Sequence, residues 1–235
     1  MSAWFQRFGP PGRVRLVCLP FAGGGAGVFQ SWPGRVPEGV EVVAVRLPGR
    51  ETRLRERPIG SWPDVVHQLT HALHAEIEPP YLLFGHSLGA MIAYQTVVSG
   101  PPQLPERLIL AGCRSPEVPS QLPRLHHLPD EEFATGVGDL ASTPPEVLAS
   151  AGLRRLLFPM LRADLLLAET WPPPAPTPAV PVPLAVVGAD RDAVAPPWSL
   201  AGWQQLAGAG LSRYQVPGSH FFIQDPQPFA RALAL

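Results

Sequence analysis

The stretch YLLFGHSLGAMIAYQTVV, residues 81–98, decides the fold, because it joins an apolar run to a helical pattern through a glycine-flanked serine. Residues 81–84 form a short apolar run, which is typical of a strand buried on both faces. After Gly89 the apolar residues are spaced as in a helix that packs on a sheet. Ser87 therefore lies on a strand-to-helix turn between Gly85 and Gly89, and this is the G-x-S-x-G pattern of a nucleophile elbow.

Ser87 has two interpretations. It is either a nucleophile that projects from a tight turn, or a buried turn serine bonded to the backbone. The order of strand, elbow and helix favours the nucleophile. His86 is interpreted as structural, because a residue inside the elbow cannot easily fold back onto its neighbour's hydroxyl.

The composition limits the class of protein that carries this turn. The chain has 235 residues, 46% of them hydrophobic, and a net charge of -1. Such a length suits one α/β domain covering residues 1–235, and no overall positive field is present to attract nucleic acid. No apolar stretch reaches the length of a membrane span, and Cys18 and Cys113 lie in apolar runs, as buried thiols of a reducing compartment do. We therefore expect a soluble, cytoplasmic protein.

Strand-like runs alternate with helical patterns along the chain, which is typical of a mostly parallel sheet covered by helices. One covering helix is predicted after Ser61, with Pro63 and Asp64 in its first turn. The predicted strands are residues 14–21, 40–47, 81–85, 107–112, 184–190 and 212–218.

Residues 120–171 differ from the rest, because they have no strand pattern and indicate helices rich in Leu and Phe. They are inserted between the strands predicted at 107–112 and 184–190. Residues 143–146 form a capping box for one of these helices. The segment 171–183 contains seven prolines, which predicts an extended return to the sheet.

A serine hydroxyl is a weak nucleophile at neutral pH, so it needs a base, and the base needs an orienting acid. In one known chain order the acid and then the histidine follow the serine. His220 lies after the last predicted strand, where such a base is expected. Asp190 and Asp192 both follow the strand at 184–190; we favour Asp192, because two further residues let its side chain turn back towards the histidine.

The segment LPFAGGGAGVF, residues 19–29, places a glycine-rich loop directly after the first long predicted strand. Backbone N–H groups there can approach a tetrahedral oxygen without interference from side chains. We predict the backbone N–H groups of Ala22 and Leu88 as the oxyanion-hole donors. A phosphate loop is the alternative, but the Lys-Ser/Thr ending of that motif is missing.

A metal site has one possible source in this sequence, the three histidines His67, His71 and His74 on one face of a predicted helix. A hydrated amphipathic face is the favoured explanation of these residues, and no clear fourth ligand is indicated. We therefore predict no metal and no bound cofactor.

Seven segments together resemble a known family: LPFAGGGAGVF, VRLPGRETR, FGHSLGAM, TPPEVLA, LRADLLLAETW, GADRDAV and PGSHFFI, in this order between residues 13 and 225. They are similar to the type II thioesterases that accompany modular polyketide synthases and nonribosomal peptide synthetases. The resemblance places the family's nucleophile on Ser87, its acid on Asp192 and its histidine on His220.

This resemblance implies an α/β-hydrolase fold with a mobile helical lid formed by the insertion at 120–171. It also implies an editing hydrolase that frees stalled acyl groups from the phosphopantetheine arm of acyl or peptidyl carrier proteins, acting as a monomer. A general carboxylesterase or an acyltransferase could use the same triad, because the fold does not determine the substrate. A non-catalytic carrier-binding protein on this fold is a further alternative.

The segment RLPGRETRLRER, residues 46–57, contains five arginines just beyond a predicted strand. One interpretation is a solvated loop. The other is a docking site for the acidic surface or phosphate of a carrier protein, since guanidinium groups bind phosphate bidentately. The second interpretation predicts that Arg53 and Arg55 contribute to carrier recognition.

Overall fold

A seven-stranded sheet runs through the centre of the structure, a computed structural model that describes residues 3–140, 145–171 and 177–224. The strands are β1 (Phe5–Phe8), β2 (Val14–Leu19), β3 (Val40–Val45), β4 (Tyr81–His86), β5 (Arg107–Ala111), β6 (Leu184–Ala189) and β7 (Leu211–Val216). Their order across the sheet is β1-β3-β2-β4-β5-β6-β7. All neighbouring strands are parallel except β1, which pairs antiparallel with β3. The mostly parallel sheet predicted from the sequence is confirmed.

Strand β1 is the element that the sequence analysis missed. It contains only four residues, FQRF, and lies at the edge of the sheet, where Phe5 pairs with Val45 and Phe8 with Val42. Its buried and exposed positions are too few to give a clear alternating pattern. Pairing with β3 determines this strand more than its own sequence does.

Helices cover one face of the sheet, and within the described residues 3₁₀ turns contribute to the core on the other face. The helices are α1 (Trp62–Glu76), α2 (Leu88–Val98), α3 (Asp130–Asp139), α4 (Pro145–Ala149), α5 (Ala151–Glu169) and α6 (Trp203–Leu206), with 3₁₀ turns at Ala26–Phe29, Glu51–Arg53, Pro197–Leu200 and Phe222–Gln224. Helix α1 follows Ser61, which is extended, and has Pro63 in its first turn, as predicted. Helix α2 buries residues around most of its circumference, as a helix packed between sheet and neighbouring helices does.

The continuous apolar runs of the central strands follow from this two-sided cover. In β2, Val17 and Leu19 face the core formed with α1 and α2. Leu16 and Cys18 face the opposite core, together with buried aromatic residues such as Trp32. Successive strand residues point to opposite faces, so both parities must be apolar when both faces are covered.

Helices α3, α4 and α5 lie in the insertion between β5 and β6, as predicted. They have a small core of their own, in which Phe133 and Val137 of α3 pack with Phe158 and Leu161 of α5. Two predictions fall partly outside the described residues: the capping box, at Thr143 and Pro144, and the proline-rich return, at residues 172–176. The assignment of residues 1–235 to one domain stays a prediction.

Two expectations from composition concern the cysteines and the membrane. Cys18 and Cys113 are both buried and free, and burial raises the pKa of the Cys113 thiol to about 12. Within residues 3–140, 145–171 and 177–224, no helix combines the length and the apolar character needed to span a bilayer.

Candidate active site

Ser87 lies on the turn between β4 and α2 in a backbone conformation that few side chains adopt. Its φ is 54° and its ψ is -118°. Its N–H donates a 2.9 Å hydrogen bond to the carbonyl oxygen of Ala111 at the end of β5, which holds the turn in place. Positive φ at a residue other than glycine costs free energy and is concentrated at functional sites. The strain of the elbow is therefore borne by the serine itself.

The two glycines of the elbow are required by close approach of the backbone. A Cβ at Gly89 would lie 2.4 Å from the carbonyl oxygen of Leu19 and 2.5 Å from that of Pro20. A Cβ at Gly85 would lie 2.3 Å from the carbonyl oxygen of Gly89. Because neither glycine has a side chain, the first turn of α2 packs directly against the end of β2.

His220 follows β7, and its imidazole lies between Ser87 and Asp192. Its Nε2 is 3.0 Å from Ser87 Oγ, and its Nδ1 is 2.9 Å and 3.0 Å from the two carboxylate oxygens of Asp192. Because a carboxylate only accepts hydrogen bonds, Nδ1 carries the proton and Nε2 accepts from the Ser87 hydroxyl. This geometry allows the imidazole to take the hydroxyl proton when the serine attacks a carbonyl.

The two candidate acids have different positions. Asp192 is buried, and its Oδ1 also accepts from the N–H groups of residues 194 and 195, each at 2.8 Å. Asp190 is exposed and accepts from the Gly218 N–H at 2.8 Å. The structure therefore brings Asp192 to His220, whereas Asp190 fixes the loop that leads to it.

His86 is fully buried beside this series of hydrogen bonds. Its Nε2 lies 2.8 Å from the carbonyl oxygen of His220. Burial lowers its pKa well below 6.5, and the nearby His220 lowers it further. A neutral ring bonded to backbone agrees with the structural interpretation of His86.

The predicted oxyanion donors lie on either side of the serine. Ala22 follows the end of β2 and lines the same pocket as Ser87, and Leu88 is the first residue of α2. Within the part of the chain that the structure describes, neither backbone N–H donates to a protein acceptor. The first N–H groups of a helix are left unpaired by its geometry and carry partial positive charge. Both groups are thus free to bind a developing negative charge.

A pocket of about 820 Å³, counting its open mouth, lies over Ser87 and His220. The insertion contributes mainly apolar residues to its wall, and the rest of the fold contributes three large apolar side chains. These residues are Leu122, Leu125, Leu140, Leu165 and Ala168 from the insertion, and Phe21, Met91 and Phe221 from the rest of the fold. Charged groups occur at Arg114 and Glu169. The pocket suits an apolar chain that ends in a reactive carbonyl.

The arginine-rich segment does not form the predicted docking surface at Arg53. Its guanidinium is buried, pairs with Glu56 at 2.6 Å and lies over the ring of Trp4 at 4.4 Å. The carrier-docking prediction is therefore wrong for Arg53, whose guanidinium binds Glu56 and packs on Trp4. Arg55 is exposed, and its role stays a prediction.

The histidines considered as metal ligands are all exposed on the outer face of α1. Within residues 3–140, 145–171 and 177–224, no three His, Cys, Asp or Glu side chains are grouped as a metal ion requires. The sequence pattern at His67, His71 and His74 is thus that of an exposed helical face.

Two buried charged residues beside the site were missed by the sequence analysis. Arg50 and Asp164 form an ion pair although 114 residues separate them. Both occur in segments that carry the family resemblance, VRLPGRETR and LRADLLLAETW. Spacing alone gave no indication that the two segments meet.

The fold and the geometry together define a class of protein. A serine elbow follows a central parallel strand, and an acid and a histidine follow later strands in that chain order, which is the architecture of an α/β hydrolase. A thioesterase-domain family model matches residues 14–233. The chain belongs to the thioesterase family, whose members hydrolyse thioesters.

Individual relatives agree with this assignment. Gramicidin S biosynthesis protein GrsT of Aneurinibacillus migulanus is 30% identical over 230 residues, which cover 96% of this chain and 90% of the relative. Thioesterase PikA5 of Streptomyces venezuelae is 33% identical over 233 residues, covering 94% and 80%. The solved structure of YbtT, a type II thioesterase from the yersiniabactin NRPS/PKS pathway, is similar with a TM-score of 0.89 at 27% identity, covering 98% of this chain and 96% of YbtT.

Proposed function

We propose that this protein is an editing thioesterase, a serine hydrolase that removes stalled or aberrant acyl groups from the phosphopantetheine arm of carrier proteins in secondary-metabolite biosynthesis. The observation that carries the proposal is the hydrogen-bonded series Ser87, His220 and Asp192 at the base of an apolar pocket. The similarity to GrsT, PikA5 and YbtT supports an acyl group bound to a carrier as the substrate.

In the acylation half of the reaction, Ser87 Oγ attacks the thioester carbonyl while His220 Nε2 takes the hydroxyl proton. Asp192 holds the imidazole in the required tautomer and stabilises its positive charge. The N–H groups of Ala22 and Leu88 bind the oxyanion of the tetrahedral intermediate. The C–S bond then breaks, His220 returns the proton to the thiolate, and the acyl group remains on Ser87.

In the second half, water attacks the acyl-enzyme ester. His220 takes the proton of the water, the oxyanion forms again at the same N–H groups, and the C–O bond to Ser87 breaks as His220 protonates the serine oxygen. The free acid leaves. Every group in this scheme belongs to the protein, to water or to the arm of the carrier, so we propose no cofactor of the protein's own.

The inserted helices supply the acyl-binding wall of the pocket, and we propose that they move to admit the arm. We also propose a monomer that acts on carrier domains in the cytoplasm, where the free thiols of Cys18 and Cys113 would stay reduced.

The proposal is tested by incubating the protein with a panel of acylated carrier proteins and following acyl loss by intact mass. The reaction is run in H₂¹⁸O, because hydrolysis places one ¹⁸O in the released acid whereas transfer to another acceptor does not. Simple aryl esters are tested in parallel. Loss of acyl groups from carriers, abolished in Ser87→Ala, supports the proposal; turnover of esters alone points to a general esterase, and binding without turnover points to a non-catalytic carrier-binding protein.

A further inference from the structure

A buried ion pair connects the inserted helix α5 to the loop that follows β3. Arg50 Nη2 lies 2.7 Å from Asp164 Oδ1, and Arg50 Nη1 lies 2.9 Å from Asp164 Oδ2. Both side chains are at most 5% exposed. Burial of two charges is costly unless their remaining hydrogen-bonding capacity is also used. The other hydrogen-bond partners of Arg50 and Asp164 therefore indicate the role of this ion pair.

The remaining hydrogen bonds of the pair go to the glycine-rich loop. Asp164 Oδ2 accepts from the Gly23 N–H at 2.8 Å, and Arg50 Nη1 donates to the Gly24 carbonyl at 2.7 Å. Gly23 and Gly24 are the two residues that follow Ala22. Asp164 thus accepts one hydrogen bond from this loop, and Arg50 donates one to it. Both bonds hold peptide groups close to the proposed oxyanion donor.

The conformation of this loop depends on such support. The Gly24 N–H donates to the Phe21 carbonyl at 2.9 Å, and Gly23 has a φ of +80°, which together indicate a type II turn with Ala22 at its second position. Leu161 lies one helical turn before Asp164 on α5, and a Cβ added at Gly23 would be 2.6 Å from its Cδ2. One face of α5 therefore covers this turn.

We propose that Arg50 and Asp164 are positioning residues that fix the direction of the Ala22 N–H, so that α5 must be seated for the oxyanion hole to be complete. This inference rests on the proposed function. It assigns to the insertion a task beyond covering the pocket, because movement of α5 away from the loop would withdraw Asp164 from Gly23. The position of α5 and the ability of the site to bind an oxyanion are then coupled.

The main test variant removes the hydrogen bonds to the loop without leaving an unpaired buried charge. The double variant Arg50→Met with Asp164→Leu replaces the pair by apolar side chains, which a core often tolerates. Asp164→Asn retains an acceptor oxygen and the side-chain shape. The matched control is Arg53→Met with Glu56→Gln, because that ion pair lies in the same segment and makes its contacts with Trp4 and Arg46 instead of the glycine-rich loop.

The measured quantities are kcat and KM for a small acyl thioester of N-acetylcysteamine and the inhibition constant of an acyl trifluoromethyl ketone, whose adduct with Ser87 places an oxyanion in the hole. A misplaced donor costs on the order of 10- to 100-fold in rate. The double variant should lose kcat by about that factor, with KM nearly unchanged and a parallel rise in the inhibition constant. Asp164→Asn should be intermediate, and the control variant should remain close to the wild type.

Normal kcat and normal ketone inhibition in a folded double variant would overturn the inference. Equal losses in the control variant would do the same, since the effect would then follow from destabilisation; urea unfolding of each variant measures this. If the double variant does not fold, kcat, KM and ketone inhibition of Asp164→Asn test the inference instead. Failure of the proposed function is separate: a wild type that releases no acyl group from any carrier contradicts the function, while ketone inhibition still reports on the hole.

Discussion

The buried ring of His86 supports the backbone of His220, because its Nε2 lies 2.8 Å from the His220 carbonyl oxygen. A carbonyl only accepts hydrogen bonds, so Nε2 of His86 carries a proton, and the lowered pKa of this buried ring favours its neutral form. Burial is the larger cause of its lowered pKa, and proximity to His220 adds to it. The histidine next to the elbow serine thus positions the histidine that the serine contacts.

The neutral state of His86 makes stability depend on pH. In acid the unfolded chain binds a proton at this residue with a pKa near 6.5, whereas the folded chain does not. The unfolded state then holds more protons, so stability falls as pH decreases below about 6.5, by about 1.4 kcal/mol for each pH unit from this group. Urea unfolding of the wild type and of His86→Gln between pH 5 and 7.5 measures this term.

His86→Gln is the informative variant, because its amide can still donate to the His220 carbonyl but does not titrate in this range. We expect it to be less stable than the wild type at pH 7.5 and to show a shallower loss of stability in acid. Parallel pH profiles for the two proteins would contradict the assignment of a neutral buried His86.

The alternation of strands and helices was predictable from the sequence because the central strands are buried on both faces. Leu16 and Val17 face opposite cores, so β2 is apolar at every position from Leu16 to Leu19 and is easily recognised. Strand β1 has no such local signature, because its pairing with β3 determines it. Local patterns therefore predicted the interior strands and the β7 edge of the sheet, but not the β1 edge.

The strain at the elbow gives a second prediction. Ser87 has a φ of 54°, which glycine adopts without cost, whereas a residue with a Cβ pays about 1–3 kcal/mol. Ser87→Gly and Ser87→Ala should both lose hydrolysis. Glycine also makes the unfolded chain more flexible. After correction for this effect, the unfolding free energy of Ser87→Gly should be about 1 kcal/mol higher than that of Ser87→Ala. Urea unfolding checks the difference, and equal stability would show that the elbow is not strained.

The third prediction separates the two acids. Asp192→Asn keeps the shape of the side chain but favours the wrong tautomer of His220, and an equivalent change in a serine protease lowers kcat by about 10⁴. We expect a loss of several orders of magnitude here. Asp190→Asn keeps an oxygen that can accept from the Gly218 N–H, so kcat should change little. Steady-state kinetics on an acyl thioester of N-acetylcysteamine measures both, and the reverse ranking would move the acid to Asp190.

The order of Ser87, Asp192 and His220 could be predicted because each lies at the end of a recognisable strand. The support of the site could not be predicted, since it depends on side chains that meet only after folding. Arg50 appeared in the sequence as one of five arginines in a polar segment, and Asp164 as one acid in a Leu-rich helix. Only the three-dimensional structure shows that they pair beside Gly23.

The last prediction concerns carrier recognition by the arginine-rich segment. Arg53→Glu would place a carboxylate beside Glu56 and the Arg46 carbonyl in a buried position, at a cost of about 3–5 kcal/mol in stability. It should therefore impair the turnover of carrier-bound and small thioesters alike. Arg55 is exposed, so Arg55→Glu should leave stability and the small substrate nearly unchanged.

For Arg55→Glu we expect a lower kcat/KM on acyl carrier proteins, because a charge at the rim of an interface mainly accelerates encounter. Salt screens such contacts, so the difference from the wild type should shrink as ionic strength rises. The measurement is kcat/KM for one acyl group presented as a thioester on a carrier protein and on N-acetylcysteamine, at low and high salt. Unchanged carrier turnover at low salt would place the docking surface elsewhere, and an equal loss on both substrates would indicate that Arg55 acts through the fold.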